Sequence, residues 1–530
     1  MKPENRAPFA REASYSASCW LYLRGLGLVS LIAFISMWSQ AEGLFLSEGI
    51  APAHSFLAQL SERATNQQWN MWELLTVAPT VFWANSSDTV LTLACAFGCV
   101  ASLLLCMNLW VGPALLLCWL LYLSVVTVVP TFFNYQWDAL LIESLFLGLF
   151  VAPWGKSLSQ WQFFSGDDQP SYLAWSLQRF LLFKLILLSG LVKLWSNDAP
   201  WFELSATQYH YWTQPLPNPL SYWAHRLPEW AHQASCGLVL VIELGTIWLV
   251  FFGPRLRTLA FWTQVLLQLM IALTGNFGFF NILTIVLCIT ALDDRLLPNR
   301  LHLLISSAAK SADSGIRIQV PTTLRRVCLS MLIAMHIGTI ANQTPYTIPK
   351  LDSLLEAATA LRPLRSLNSY GLFANMTEER PEIIIEGSED GVRWQAYEFQ
   401  WKPGTLNDIP PWVTPHMPRL DWQMWFAALQ GDCRRAPWFI ALIQKILEGN
   451  QSVLAQLHHD PFSGRPPRYL RSTLYQYRFT TPTEHEQLGN YWHRSLPRAY
   501  CPTAELVDGQ LERVERPITR PEPRAAQVAR

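Results

Sequence analysis

Between about residues 20 and 345 the chain alternates long apolar runs with short polar breaks. The runs fall at about 20–40, 88–107, 110–129, 138–153, 175–195, 234–252, 258–275, 278–293 and 325–342. A helix that crosses a bilayer needs about 20 mostly apolar residues, and lipid accepts only helices or closed barrels. Runs of this length, ended by breakers such as Pro130, Ala152-Pro153 and Gly253-Pro254, predict a polytopic α-helical membrane protein of about nine spans. The fourth and eighth runs are short and read as tilted or re-entrant. The first is too long, and too poor in a cleavage site, for a signal peptide, so it reads as an anchor. Only 15% of residues are charged, against about 25% in soluble domains. The 39 basic and 39 acidic residues cancel, which leaves no electrostatic case for nucleic-acid binding.

Loop charges give the runs a direction. Lys2, Arg6 and Arg11 lie in the N-terminal tail, and Arg24 lies near the start of the first run. With that end cytoplasmic, Lys156, Arg255, Arg257, Arg295, Arg300, Lys310, Arg317, Arg325 and Arg326 are cytoplasmic too. The opposite loops hold Arg63 and Arg226. This bias follows the positive-inside rule. An odd number of spans then places the C-terminal part outside, in a periplasm or an endoplasmic-reticulum lumen. The expected organisation is a cytoplasmic tail (1–19), a helical membrane domain (20–345) with an outer loop at 196–233, a soluble outward-facing α+β domain (346–505) and a disordered tail (506–530).

The C-terminal part changes period. "PEIIIEGSEDGVRWQAYEFQW" predicts two strands around a turn at Ser388–Gly391, with Ile383 and Ile385 sharing a face and Tyr397 and Phe399 sharing a face. "RLDWQMWFAAL" and "PWFIALIQKILEG" have helical spacing, with Gly449 as a cap. "RYLRSTLYQYRFT" alternates as a strand does.

Charges inside spans are costly and so carry information. Asp138 opens the fourth run and suits a helix N-terminus; Glu143 lies deeper, as half of an ion pair or as a functional group. Arg179 can snorkel to the cytoplasmic surface. Lys184 is placed to pair with Glu143 or Glu243. Lys193 can snorkel at the outer interface or serve as a lysine of lowered pKa facing a cavity. Glu243 stands alone in "LVLVIELGTIWLV", as a functional acid or the partner of a lysine from the fifth run. The outer loop holds His210, His225 and His232 among aromatics and prolines. His210 with Tyr209 and Gln214 could line a polar pocket; a loop lying flat on the bilayer explains the same residues without chemistry. The seven-residue gap between His225 and His232 is not metal-ligand spacing.

No phosphate-binding loop, dinucleotide fingerprint, nucleophile elbow or HExxH occurs, and no CxxC. No cofactor or metal is expected. Asn85, Asn342, Asn375 and Asn450 begin N-x-[ST] sequons and would all lie outside.

"FNYQWDALLIESLFLGLFVAPW", "LLSGLVKLWSNDAPWFELSATQYHYWTQPLPNPLSYWAHRLPEW", "LTGNFGFFNILTIVLCITALDD", "NSYGLFANMTEERPEIIIEGSEDGVRWQAYEFQWKPG" and "PHMPRLDWQMWFAAL" together resemble the lipase maturation factor family, over about residues 20–505. The resemblance implies a membrane protein, in animals of the endoplasmic reticulum, that helps secreted lipases fold and assemble. It implies a lumenal C-terminal domain that handles the lipase. The short tails resemble a bacterial member, for which the compartment is the inner membrane with the domain in the periplasm. "SGLVKLWSNDAPWF" is also similar to a segment of the vitamin-K-dependent γ-glutamyl carboxylase family, which implies a base role for Lys193.

Two readings follow. One is a noncatalytic maturation factor whose partners are the bilayer and a secreted lipase or other exported client, with Trp412, Trp422, Trp425 and Phe426 as client contacts or ordinary core. The other is a membrane enzyme using Lys193, His210 and Glu143, which requires those groups to converge on one outward cavity. Cys433 and Cys501 are the cysteines that this topology places in the oxidising compartment, where they can form a disulfide.

Overall fold

The computed structural model describes residues 14–154, 163–164, 169–298, 322–343, 356, 359 and 361–514. Each of the nine apolar runs coincides with helix. They are α1 (Ser16–Trp38), α4 (Asp88–Cys106), α5 (Val111–Val128), α6 (Gln136–Gly148), α7 (Tyr172–Trp195), α10 (Glu229–Leu244), α11 (Pro254–Leu273), α12 (Phe280–Cys288) and α13 (Thr322–Gln343). Five of these segments, α10 being extended to Phe251, are long and apolar enough to cross a membrane on length and composition. α6 and α12 are short, as expected, and α7 has the length but carries Arg179, Lys184 and Lys193. Pro254 occupies the first turn of α11, where its missing N–H costs nothing. The loops hold α2 (Ala53–Asn66), α3 (Met71–Val77), α8 (Ala206–Thr213) and α9 (Pro219–His225). The loop at 196–233 is therefore built largely of short helices.

Contacts sort the helix ends onto two poles. At one, Asp294 just beyond α12 accepts from the Ser18 backbone N–H at the start of α1 (2.9 Å). There Arg257 at the start of α11 pairs with Asp293 (2.9 Å), and Arg24 donates to Asn108 just beyond α4. At the other pole sit the end of α1, the end of α5, the start of α6, the end of α7 and the 274–278 turn, all against the C-terminal domain. The helices that these contacts place, α1, α4 to α7, α11 and α12, thus run between the two poles, neighbours in sequence in opposite directions.

The C-terminal domain is a six-stranded antiparallel sheet in the order β3-β2-β1-β4-β5-β6. Its strands are β1 (Arg380–Ser388), β2 (Gln395–Phe399), β3 (Leu457–His459), β4 (Tyr469–Phe479), β5 (Trp492–Val507) and β6 (Gln510–Arg513). Ile385 faces Tyr397 across β1–β2, and Ile383 and Ile385 are fully buried. α14 (Arg419–Gln430) and α15 (Pro437–Leu447) supply the core with Trp422, Met424, Phe439, Leu442 and Ile446. Gly431 ends α14 at φ +71°, and Gly449 follows α15 at φ +68°, both in the left-handed conformation that glycine tolerates. The boundary expected at 505 is corrected: it falls inside β5. The Asp508–Gly509 turn sends the chain back as β6 through Arg513, so the first residues of the expected tail are sheet. The rest of that tail from 515, the first thirteen residues and most of 344–360 lie outside the described residues.

Candidate functional site

Asp138, Glu143, Lys184, Lys193 and Glu243 of the helical half form three buried groups, at its seam with the sheet domain and within its core. In the first, Asp138 takes a two-pronged ion pair from Arg419 (2.6 and 2.7 Å) and a hydrogen bond from Tyr122 (2.6 Å), all buried. The expected capping role of Asp138 is corrected, since no side chain caps the α6 N-terminus. Its place in the first turn still favours its negative charge. The planar guanidinium matches the carboxylate edge to edge, a geometry lysine cannot offer. Arg419 opens α14, so this pair ties the sheet domain to α5 and α6.

In the second group, Lys184 chooses Glu143 (2.5 Å) over Glu243. Lys184 also donates to His336 Nδ1 and to the Asn368 carbonyl, both at 2.8 Å. An ammonium has only donors, so that His336 nitrogen accepts. The other oxygen of Glu143 accepts from Tyr370 (2.7 Å) and from the backbone and side-chain N–H groups of Asn368 (3.0 and 2.9 Å). α6, α7, α13 and the strap leading into β1 meet at this carboxylate.

In the third, Lys193 pairs with Glu243 (2.7 Å) and donates to the Ser189 carbonyl (2.9 Å), with Trp201 at 5.1 Å. The expected snorkelling of Lys193 is corrected, because it is 2% exposed. Glu243 is thereby the partner of a lysine from the fifth run. Arg179 does not snorkel either; it is buried and donates to the Thr290 carbonyl (3.0 Å).

His210 packs against aromatic rings, stacked on Phe277 and edge-on to Phe373 at 4.9 Å. Burial, helped by the Lys193 charge, lowers its pKa to about 4. The expected pocket of His210 with Tyr209 and Gln214 does not form, because Gln214 turns to the Thr274 carbonyl (2.7 Å). His225 and His232 meet through a ring-to-carbonyl contact (3.3 Å). Among the described residues, no group of three or more His, Cys, Asp or Glu could hold a metal ion.

Three residues that the sequence reading missed, Arg380, Asn276 and His416, complete the seam. Arg380 at the start of β1 donates to the carbonyls of Trp212, Gln214 and Pro215 and pairs with Glu382 (2.6 Å), which also pairs with Lys402 (3.0 Å). Asn276 bridges the Pro217 and Pro411 carbonyls (3.0 and 2.8 Å) and accepts from the Val413 N–H (3.0 Å). His416 faces Ser36 Oγ at 3.0 Å. That hydroxyl also accepts from the Met417 N–H (3.0 Å) and has the Met417 carbonyl at 3.4 Å as an acceptor for its own proton. Burial, then the Arg419 charge, lowers the His416 pKa to about 4. Asp421 goes the other way, to about 6, because burial outweighs two backbone N–H bonds from Trp401 and Lys402. One signal for Arg419 was in the sequence. With Arg179 assigned to the surface, Asp138, Glu143 and Glu243 stood against two lysines of the fifth run, Lys184 and Lys193, so one of the three needed a cation from outside that run.

Of the four expected client contacts, Trp412 is 49% exposed and Trp422 is buried. Trp425 donates to the Thr213 carbonyl (2.9 Å), and Phe426 stacks on Tyr135 at 5.7 Å. Cys433 and Cys501 form a disulfide, with Cα atoms 5.6 Å apart.

A transmembrane-domain model of the lipase maturation factors matches residues 17–299, and the C-terminal-domain model of the same proteins matches residues 366–502. Lipase maturation factor 2 of Mus musculus is 33% identical over 93% of this chain and 84% of its own length. The chain belongs to the lipase maturation factor family. Human lipase maturation factor 2 is also 33% identical, over 93% of this chain and 83% of its own length. Lipase maturation factor 1 of Mus musculus is 32% identical, over 93% and 89%. No solved structure matches. The family's two matched domains meet across the seam, while α13 and His336 lie between the matched segments. The carboxylase-like alternative gains no support: Glu143 and Lys193 sit in separate groups, each bound to its own counter-ion.

Proposed function

We propose that this integral membrane protein is a maturation factor for secreted lipases, with its sheet domain on the non-cytoplasmic side. The observation that carries the reading is the family match, which runs through both domains of a single chain. The Cys433–Cys501 disulfide supports the placement, since disulfides persist in oxidising compartments. The loop charges support it too, and for a bacterial chain the compartment is the periplasm. The extensive tie between the halves suits a scaffold that presents the sheet domain at a fixed height above the bilayer. Trp412 keeps the exposure that a client contact needs.

Secreted lipase activity and lipase protein, measured together in cells lacking this chain, test the reading. Normal lipase protein with low activity, restored by the wild-type chain, is expected. Trp412→Ser is expected to accumulate like wild type and restore only part of the activity. Unchanged lipase activity without the chain would remove lipases from its clients.

A further inference from the structure

α3 buries none of its seven residues, although five of them are Met71, Trp72, Leu74, Leu75 and Val77. Trp72 is 78% exposed. The helix is nonetheless firmly specified. Asn70 Oδ1 accepts from the N–H groups of Trp72 and Glu73 (2.9 and 3.0 Å), and Glu73 returns a bond to the Asn70 N–H (2.7 Å). This reciprocal cap fixes the start and orients the faces. At 100° per residue, Glu73 and Thr76 share one narrow side and the five apolar residues cover the rest. Neighbouring α2 differs: it buries Ala53, Leu57, Leu60 and Ala64 and turns its polar side outward.

The depth of α3 decides what covers its apolar face. Just after it, Thr80 donates to the Ser124 carbonyl (3.3 Å) and the Val81 N–H donates to Ser124 Oγ (3.1 Å). Ser124 lies one turn inside the sheet-domain end of α5, about 6 Å below that end at 1.5 Å per residue. Interfacial helices bury their apolar face about 5–10 Å into the headgroup–acyl boundary. The chain then enters α4, whose exposed Leu93, Phe97, Val100 and Leu103 form an apolar stripe facing away from the bundle. Ten residues, 78–87, therefore join α3 to a helix whose exposed apolar stripe is of the kind that lipid covers. We infer that α3 is an interfacial helix whose Met71, Trp72, Leu74, Leu75 and Val77 lie in the bilayer leaflet on the sheet-domain side.

The test uses the full chain in phosphatidylcholine vesicles with p-benzoylphenylalanine at position 72, irradiated and digested for mass spectrometry. The exposed position leaves folding undisturbed. The expected result is a peptide heavier by one phospholipid, as from the same probe at Phe97 in α4. The probe at Val392, which is 76% exposed in the β1–β2 turn, gives no such adduct. Position 72 behaving like position 392 while position 97 takes lipid would overturn the inference. So would a protein adduct replacing the lipid adduct when a secreted lipase is added, since the face would then belong to a client.

Discussion

A single charge in a bilayer interior costs about 2.5–3.5 kcal/mol on insertion scales, and Lys193 and Glu243 meet that cost together at 2.7 Å. Removing one leaves the other buried and uncompensated. Lys193→Ala should therefore lower stability by about 3–5 kcal/mol, whereas Lys193→Leu combined with Glu243→Leu should recover most of it. Thermal unfolding in detergent reads the difference. If the double variant is as stable as wild type yet fails to mature a lipase, the pair does more than hold α7 to α10. His416 gives the residue scale a pH dependence. Its folded pKa lies near 4, below the ordinary 6.5, so the unfolded chain takes up its proton first. Its contribution to stability is present above about pH 6.5 and is lost as pH falls toward 4. The protonated ring can only donate to Ser36 Oγ. Asp421, raised to about 6, works in the opposite sense, its contribution present below about 3.8 and lost as pH rises through 6. His416→Gln should therefore show a smaller fall in melting temperature between pH 6.5 and 4 than the wild-type chain. An equal fall would place the acid sensitivity elsewhere, with His210 the next group to test.

At the scale of elements, the disulfide joins the turn before α15 to β5 across 68 residues of sequence. Closing a loop of that length removes about 4 kcal/mol of unfolded-chain entropy in the chain-entropy model. Cys433→Ser with Cys501→Ser should destabilise the sheet domain by up to that amount. The reduced wild-type chain should match the variant in protease resistance; no change on reduction would show that the core of α14, α15 and the sheet suffices. The sequence makes some of these elements legible and hides others for identifiable reasons. The nine apolar runs announce helices because length and composition alone decide them. β1, β2 and β4 announce themselves by alternation. β5 does not, because Pro497 and Pro502 interrupt it. Both prolines fall where the β5 register slips against β4, between the pairs Gln476–Ser495 and Leu474–Arg498 and between Ser472–Cys501 and Leu470–Ala504. A strand with neighbours on both sides accepts proline at such irregularities. The site is legible in the same partial way. Buried acids at 138, 143 and 243 demanded cations, but spacing could not choose between Glu143 and Glu243 for Lys184. Nor could it show that the cation for Asp138 stands 281 residues further along, on a helix of the other domain.

The two poles make a statement about the whole molecule that no single helix makes. Asp294 with Ser18 and Arg257 with Asp293 gather at one end of the bundle; Ser36, Asp138, Ser196 and Asn276 reach the sheet domain at the other. This sorting rests on which ends touch, so it holds whether or not the short α6 and α12 cross the full thickness of the bilayer. It requires the N-terminal end of α1 and the sheet domain to lie at opposite faces. The basic residues Arg255 and Arg257 sit at the pole away from the sheet domain, and the orientation proposed above makes that pole the cytoplasmic one. Alkaline phosphatase, active only where its disulfides form, should thus be active when fused after Arg513 and inactive when inserted at the Gly253 turn. The reverse pattern would turn the molecule over, place Cys433 and Cys501 in a reducing compartment, and separate the sheet domain from any secreted lipase. Activity at both positions would break the alternation itself.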